Sequence, residues 1–240
     1  MYLRRIYIRK TTMVFVIYQK NCTFVQIFKI GEKMQIGSNI LTPQTRLVVF
    51  DLDGTLYAKS RMAWRMLYSA PNDWKRMLAE RKTRKQLRGK WLQNEELFYQ
   101  TYFQTLANYC KSTPEEIRVW YMNRYMPLMV NVIRKYYKPV EWLIPFAAEC
   151  KKKDIRLIVL SDYGHTNEKL NALNINANIF DWVISAPELG GLKPAPQLLE
   201  KVAERMGVTL EECLVIGDRE DTDIALAKAV GAAFFLVSNL

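Results

Sequence analysis

Cysteine is scarce and scattered in this chain. The four cysteines stand at positions 22, 110, 150 and 213, and no two of them form a CxxC pair. That spacing argues against a zinc-binding module and against a disulfide framework. Scattered thiols in a chain of enzyme size fit a reducing compartment, so a cytoplasmic location is expected. A long apolar run is missing as well. The most apolar N-terminal stretch, residues 13–18, is cut off by Gln19 and Lys20, whereas about 20 apolar residues are needed to span a bilayer. Arg4 and Arg5 precede it as in a signal peptide, but the apolar stretch is short and no small-residue cleavage site comes after it. Neither a membrane span nor export is expected. Internal repeats and low-complexity segments are also lacking.

What remains is a 240-residue chain, half of it hydrophobic. At about 150 residues per domain, this is one domain, or one domain with an insertion. The net charge of +11 is unevenly spread. Positive charge concentrates in residues 1–46 and 59–111, and the rest of the chain is slightly acidic. The densest run holds Arg81, Lys82, Arg84, Lys85, Arg88 and Lys90. It reads as a solvated helix face, or else as a field that guides an anionic substrate, a nucleic acid or a membrane surface. Arg84 and Lys85 are the pair expected to guide a substrate.

Residues 1–45 hold two β-prone runs, 13–18 and 23–30, without the regular pattern of the rest of the chain. They form a hairpin, an unstructured arm or an N-terminal extension outside the fold. From residue 46 the pattern is clear. Residues 47–50 are a short, continuously apolar run, as in a strand buried on both faces. Similar runs recur at 157–160, 213–216 and 233–237, with a weaker one at 182–184. Helical spacing separates them at 140–153, 194–206 and 221–230. Such alternation predicts a Rossmann-like α/β fold with a parallel sheet. The roughly 100 residues between the first two strands carry only helical patterns, at 61–68, 73–90, 94–110 and 114–136, which predicts an inserted α-helical subdomain. The expected organisation is a core of residues 46–58 and 138–240 with a helical cap at 59–137. Trp91, Phe98, Tyr99, Tyr102 and Phe103 recur at helical spacing and are expected in the cap's own core.

Ligands of open α/β sheets bind beyond the carboxyl ends of the strands. After the first strand comes DLDGTL, residues 51–56. Its carboxylates Asp51 and Asp53 lie two residues apart, so alternation points them to one side, and Gly54 permits a sharp turn. One can attack an electrophile while the other moves a proton, provided a cation offsets their repulsion. After the second strand comes Ser161, whose hydroxyl can donate to a phosphate oxygen. Lys193 lies just before a helix, held extended by Pro194, and its ammonium can stabilise phosphate charge. After the next strand come Asp218, a hard oxygen ligand for Mg²⁺, and Asp221 and Asp223, either of which can orient a metal-bound water. Asp221 also suits a helix cap. His165 reads as a helix-start or surface residue rather than one that touches substrate, and Arg219 as part of a local ion pair or a cap.

The order and spacing of these motifs resemble the haloacid dehalogenase (HAD) superfamily. The resemblance spans residues 46–237, and the insertion resembles the helical cap of that family's first subgroup. It implies that Asp51 is the nucleophile and that Asp53 is the general acid/base. It implies that Asp51, the Asp53 backbone carbonyl and Asp218 hold Mg²⁺, and that Ser161 and Lys193 bind the phosphoryl group. The family's dehalogenases lack the second aspartate of the first motif, so Asp53 favours phosphate chemistry. The expected protein is a Mg²⁺-dependent phosphatase that hydrolyses a small phosphorylated metabolite through an aspartyl phosphate. The alternatives are a phosphomutase using the same aspartyl phosphate, and a nucleic-acid-binding or scaffolding protein on a HAD core. Nucleic acid is the less expected partner, because all four motifs are intact.

Overall fold

The computed structural model describes residues 5–9, 12–19, 22–29 and 36–237. The chain divides into two compact units, Met1–Gly37 and Ser38–Leu240. In the smaller, β1 (Arg5–Arg9), β2 (Thr12–Gln19) and β3 (Cys22–Lys29) form an antiparallel sheet in that order. Of the three readings of this segment, the hairpin describes the pairing of β2 with β3. Ile30, the end of the expected second run, lies outside the described residues.

The larger unit is built on five parallel strands. They are β4 (Leu47–Phe50), β5 (Arg156–Ser161), β6 (Trp182–Ser185), β7 (Cys213–Gly217) and β8 (Ala233–Leu236), in the order β6-β5-β4-β7-β8. The apolar runs read from the sequence are these strands. Alternation splits β4 between two cores. Leu47 and Val49 join Ile158, Leu160 and Val215 under α8 (Pro196–Met206) and α9 (Ala225–Val230). Phe50 turns the other way and meets Trp142, Phe146 and Phe180 at ring-centroid distances of 6.0–6.2 Å. Helices therefore cover both faces, as a parallel sheet requires. Among the described residues, no helix is long and apolar enough to cross a membrane.

Between β4 and β5 the chain forms α1 (Met62–Ser69), α2 (Trp74–Leu87), α3 (Glu95–Cys110), α4 (Pro114–Trp120) and α5 (Met126–Tyr136), followed by α6 (Leu143–Lys152). Asn94 caps α3, and Thr113 with Glu116 makes a capping box on α4, which fixes where these two helices begin. A turn of π-helix, Tyr121–Tyr125, joins α4 to α5. The chain leaves and returns at neighbouring points: the Val140 amide donates to the Leu56 carbonyl, and Tyr57 bridges to Pro139. The sequence reading offered His165 as a helix start but gave no helical run for α7 (Thr166–Ala172), which comes after β5. The helical run read at 221–230 opens instead with a π turn, Glu220–Ile224, before α9.

The helical insertion is held together partly by a buried polar cluster. Glu80 of α2 is fully buried. Its carboxylate accepts from Tyr102 Oη (2.8 Å), Tyr125 Oη (3.1 Å) and Arg84 Nε. Arg84 then donates to Tyr121 Oη (2.7 Å) and to the backbone carbonyl of Asp162 (2.7 Å), and its guanidinium lies 3.7 Å from the centre of the Tyr163 ring. This corrects the reading of the basic run. Arg84 faces inward and is not available to guide a substrate, whereas Lys85 is exposed. Helical periodicity explains the split: residue 84 falls one turn after Glu80, on the same face. Phe98, Tyr102 and Phe103 are buried as expected, while Trp91 is half-buried and donates to the Leu189 carbonyl. Removing one partner of a buried ion pair costs about 3–5 kcal/mol, because the other charge is left uncompensated. Arg84→Met is expected to lower stability by that order, read by urea unfolding. A loss below about 1 kcal/mol, the level of an exposed pair, would contradict the buried assignment.

Candidate active site

The parallel register brings four loops to one edge of the sheet. Phe50 pairs with Val159 on one side and Ile216 on the other, so β4, β5 and β7 end within two residues of one another. Asp51 continues the ladder one step, its amide donating to the Ile216 carbonyl at 2.9 Å. Its carboxylate is buried. Oδ1 accepts from Lys193 Nζ at 2.7 Å, and Oδ2 accepts from Thr55 Oγ1 at 3.0 Å. Lys193 Nζ also donates to Asp223 Oδ1 (2.6 Å) and to the Leu160 carbonyl (3.0 Å), while its backbone amide donates to Asp162 Oδ1 (3.0 Å). Burial works against the charge of Lys193, but Asp223 and Asp51 outweigh it and raise the ammonium well above the ordinary lysine value. Burial pushes the Asp51 carboxyl up, against the pull of Lys193.

Asp53 has a separate set of partners. Its Oδ2 accepts from Lys169 Nζ (2.8 Å) and Ser161 Oγ (3.1 Å), and its Oδ1 accepts from Tyr57 Oη (2.6 Å). Burial alone would raise this carboxyl, but Lys169 and the hydrogen bonds hold it below the usual carboxylate range. Lys169 is fully buried on α7, and that burial lowers its own value against the pull of Asp53.

Asp51, Asp218 and Asp223 each offer a carboxylate oxygen, and these lie within 4.8 Å of one another. Asp218 Oδ1 is buried and has no hydrogen-bond partner among the described residues. Three convergent carboxylates with an unpartnered oxygen fit a hard divalent cation such as Mg²⁺. Of the two aspartates read as orienting a metal-bound water, Asp223 belongs to this cluster and Asp221 does not. Asp221 is exposed and pairs with Arg88 and Arg219, so Arg219 makes the expected local ion pair. Two glycines allow the close approach. A Cβ on Gly217 would overlap the Asp223 side chain, and one on Gly54, at φ 109°, would overlap Asp218 and Lys59. His165 opens α7 near Glu168 (3.7 Å), in keeping with the helix-start reading.

Sequence reasoning missed Thr55, Tyr57, Lys59, Asp162 and Lys169 at this site. Thr55, Tyr57 and Lys59 stand within eight residues of Asp51, so proximity to the motif was the available signal. Lys169 had none: a lysine inside a short helix is ordinarily solvated.

The comparisons with known proteins agree with this geometry. The chain is 28% identical over 196 residues to the phosphoglycolate phosphatase of Aquifex aeolicus, a match covering 78% of this chain and 81% of that one. It is 36% identical over 110 residues to the glyceraldehyde 3-phosphate phosphatase of Methanocaldococcus jannaschii, covering 45% of this chain and 46% of that enzyme. The chain spans less than half the length of the first curated relatives it matches. Among solved structures, the HAD hydrolase YfnB of Bacillus subtilis, bound to magnesium, superposes with a TM-score of 0.54 at 16% identity, over 79% of this chain and 87% of that one. That likeness concerns the fold. The family model described as haloacid dehalogenase-like hydrolase matches residues 45–231, from the turn before β4 through Gly231 after α9, and the chain belongs to that family.

Proposed function

We propose that this protein is a Mg²⁺-dependent phosphatase acting on a small phosphorylated metabolite. The observation that carries the reading is the buried meeting of Asp51, Lys193 and Asp223 beside Asp53, Ser161 and Asp218. Phosphoryl transfer depends mainly on positioning and charge stabilisation, and the site concentrates both. Asp51 is the nucleophile: a carboxylate oxygen forms a bond to phosphorus as the ester P–O bond breaks, giving an aspartyl phosphate. Asp53, ionised beside Lys169 in the free site, takes up the proton that arrives on the phosphate monoester, passes it to the leaving oxygen, then takes one from the water that hydrolyses the intermediate. Ser161 and Lys193 bind the phosphoryl oxygens, and the Asp162 carboxylate fixes the backbone of Lys193. Asp51, the Asp53 carbonyl and Asp218 would hold Mg²⁺, with Asp223 beside them. When bound, the ion neutralises charge on the transferring group. The helical segment 59–137 serves as a cap over the site, resting on Asp162 and Tyr163 through Arg84. A cytoplasmic setting suits the free thiols Cys110, Cys150 and Cys213.

The names of the relatives set the first substrates to try. Phosphate release from a panel that includes phosphoglycolate and glyceraldehyde 3-phosphate should appear with Mg²⁺ and disappear with EDTA. Isomerised sugar phosphate without free phosphate would favour a phosphomutase. Asp51→Asn should abolish release, because an amide is neither the nucleophile nor a comparable ligand; losing a nucleophile costs several orders of magnitude in rate. Near-normal release from a folded variant would sink the mechanism.

Asp53→Asn should lose most turnover, since the proton shuttle goes. It should also lower the melting temperature, because Lys169 is left buried without its counter-charge. Adding Lys169→Met should restore part of that stability and none of the activity. If the double variant is no more stable than Asp53→Asn alone, the buried pair is not the cause of the loss. An ester with a good leaving group should be cleaved faster than a poor one by Asp53→Asn, and equal slowness would speak against acid catalysis by Asp53.

A further inference from the structure

Lys59 has no role in the proposed chemistry, yet it lies among the groups that perform it. Its Nζ donates to the Asp53 backbone carbonyl at 2.6 Å and pairs with Asp218 Oδ2 at 2.7 Å. These are two of the three groups proposed to hold Mg²⁺. The approach is so close that a Cβ on Gly54 would overlap both Lys59 Nζ and Asp218 Oδ2. The lysine is not locked in the core: its side chain keeps 37% of its exposure, and it stands on the loop between β4 and α1. Its long stem therefore has solvent on one side and the ligand oxygens on the other.

Resting on the metal-site reading, we infer that Lys59 is a tethered cation that competes with the divalent ion for the Asp53 carbonyl and Asp218. A lysine ammonium is a compact point charge with freely rotating donors, so it can serve as counter-charge to the same oxygens. It cannot share them with a metal at no cost. Mg²⁺ binds oxygen at about 2.0–2.1 Å and demands near-octahedral geometry, and two cations bound to one pair of oxygens repel strongly in a partly buried site. The Lys59 ammonium would therefore have to leave these oxygens for solvent when a metal is held there. The arrangement keeps Asp218 paired and the two ligand groups together when the ion departs, and it weakens metal binding in return. Lys193 does not play this part, because it bridges Asp51 and Asp223 from within the core.

The test is Mn²⁺ binding to the full chain without substrate, with free Mn²⁺ monitored by electron paramagnetic resonance. Lys59→Gln keeps a polar side chain and removes the charge; Lys59→Met removes both. Each should bind Mn²⁺ about two- to fivefold more tightly than the unaltered protein, the range that a half-exposed ion pair can contribute. Each should also melt at a lower temperature in EDTA, because Asp218 loses its partner. Asp218→Asn serves as the control for the site. If the unaltered protein shows no Mn²⁺ binding that Asp218→Asn removes, the metal reading fails and this inference with it. If such binding exists but both Lys59 variants bind equally or more weakly, the metal reading stands and the competition is overturned.

Discussion

The ammonium of Lys193 is the contact on which the rest of the site depends. Three carboxylates at one sheet edge, Asp51, Asp218 and Asp223, repel each other. Lys193 lies between two of them and is anchored from behind by the Leu160 carbonyl. The strand ends bring the acids together, and the lysine makes that arrangement tolerable. It reaches them because the Asp162 carboxylate holds its backbone amide, so the loop after β5 sets the position of a residue more than thirty positions later.

A second lysine does the same for Asp53. Lys169 is fully buried, which is stable only because a carboxylate faces it. The two aspartates of the motif are therefore given separate cations. Asp51 sits with Lys193, and Asp53 sits with Lys169, Tyr57 and Ser161. This division gives two nearby carboxylates different surroundings, which is how one fold assigns different tasks to chemically identical groups. Ser161, read from the sequence as a phosphate ligand, here donates to Asp53.

The helical insertion is tied to this edge by buried polar contacts as well as by packing. Arg84 spans from Glu80 in the insertion to the carbonyl of Asp162 beside the site. The loop that Arg84 meets, at Asp162 and Tyr163, is also the one that fixes the Lys193 amide. The unpaired positive charge of the basic run is consequently smaller than its composition suggests: Arg84 is turned inward and the exposed Arg88 pairs with Asp221.

The local sequence determined the sheet strands, most of the helices and the residues at the carboxyl edge. Continuous apolar runs bury themselves on both faces of a parallel sheet, capping residues mark where helices begin, and acids placed directly after strands must emerge at the same edge. These are short-range rules, and residues 47–56, 157–161 and 213–218 obey them. The tertiary structure alone decided which aspartate joined the cluster, Asp223 or Asp221, because a π turn sets the phase of that segment. It alone placed Lys169 against the Asp53 carboxylate. The reason is physical: a lysine is ordinarily solvated, and Lys169 is buried only because the fold brings it a counter-charge from a distant part of the chain. Nothing in the residues around Lys169 announces that partner, whereas Arg84 and Lys59 find theirs, Glu80 and the Asp53 carbonyl, within a few positions.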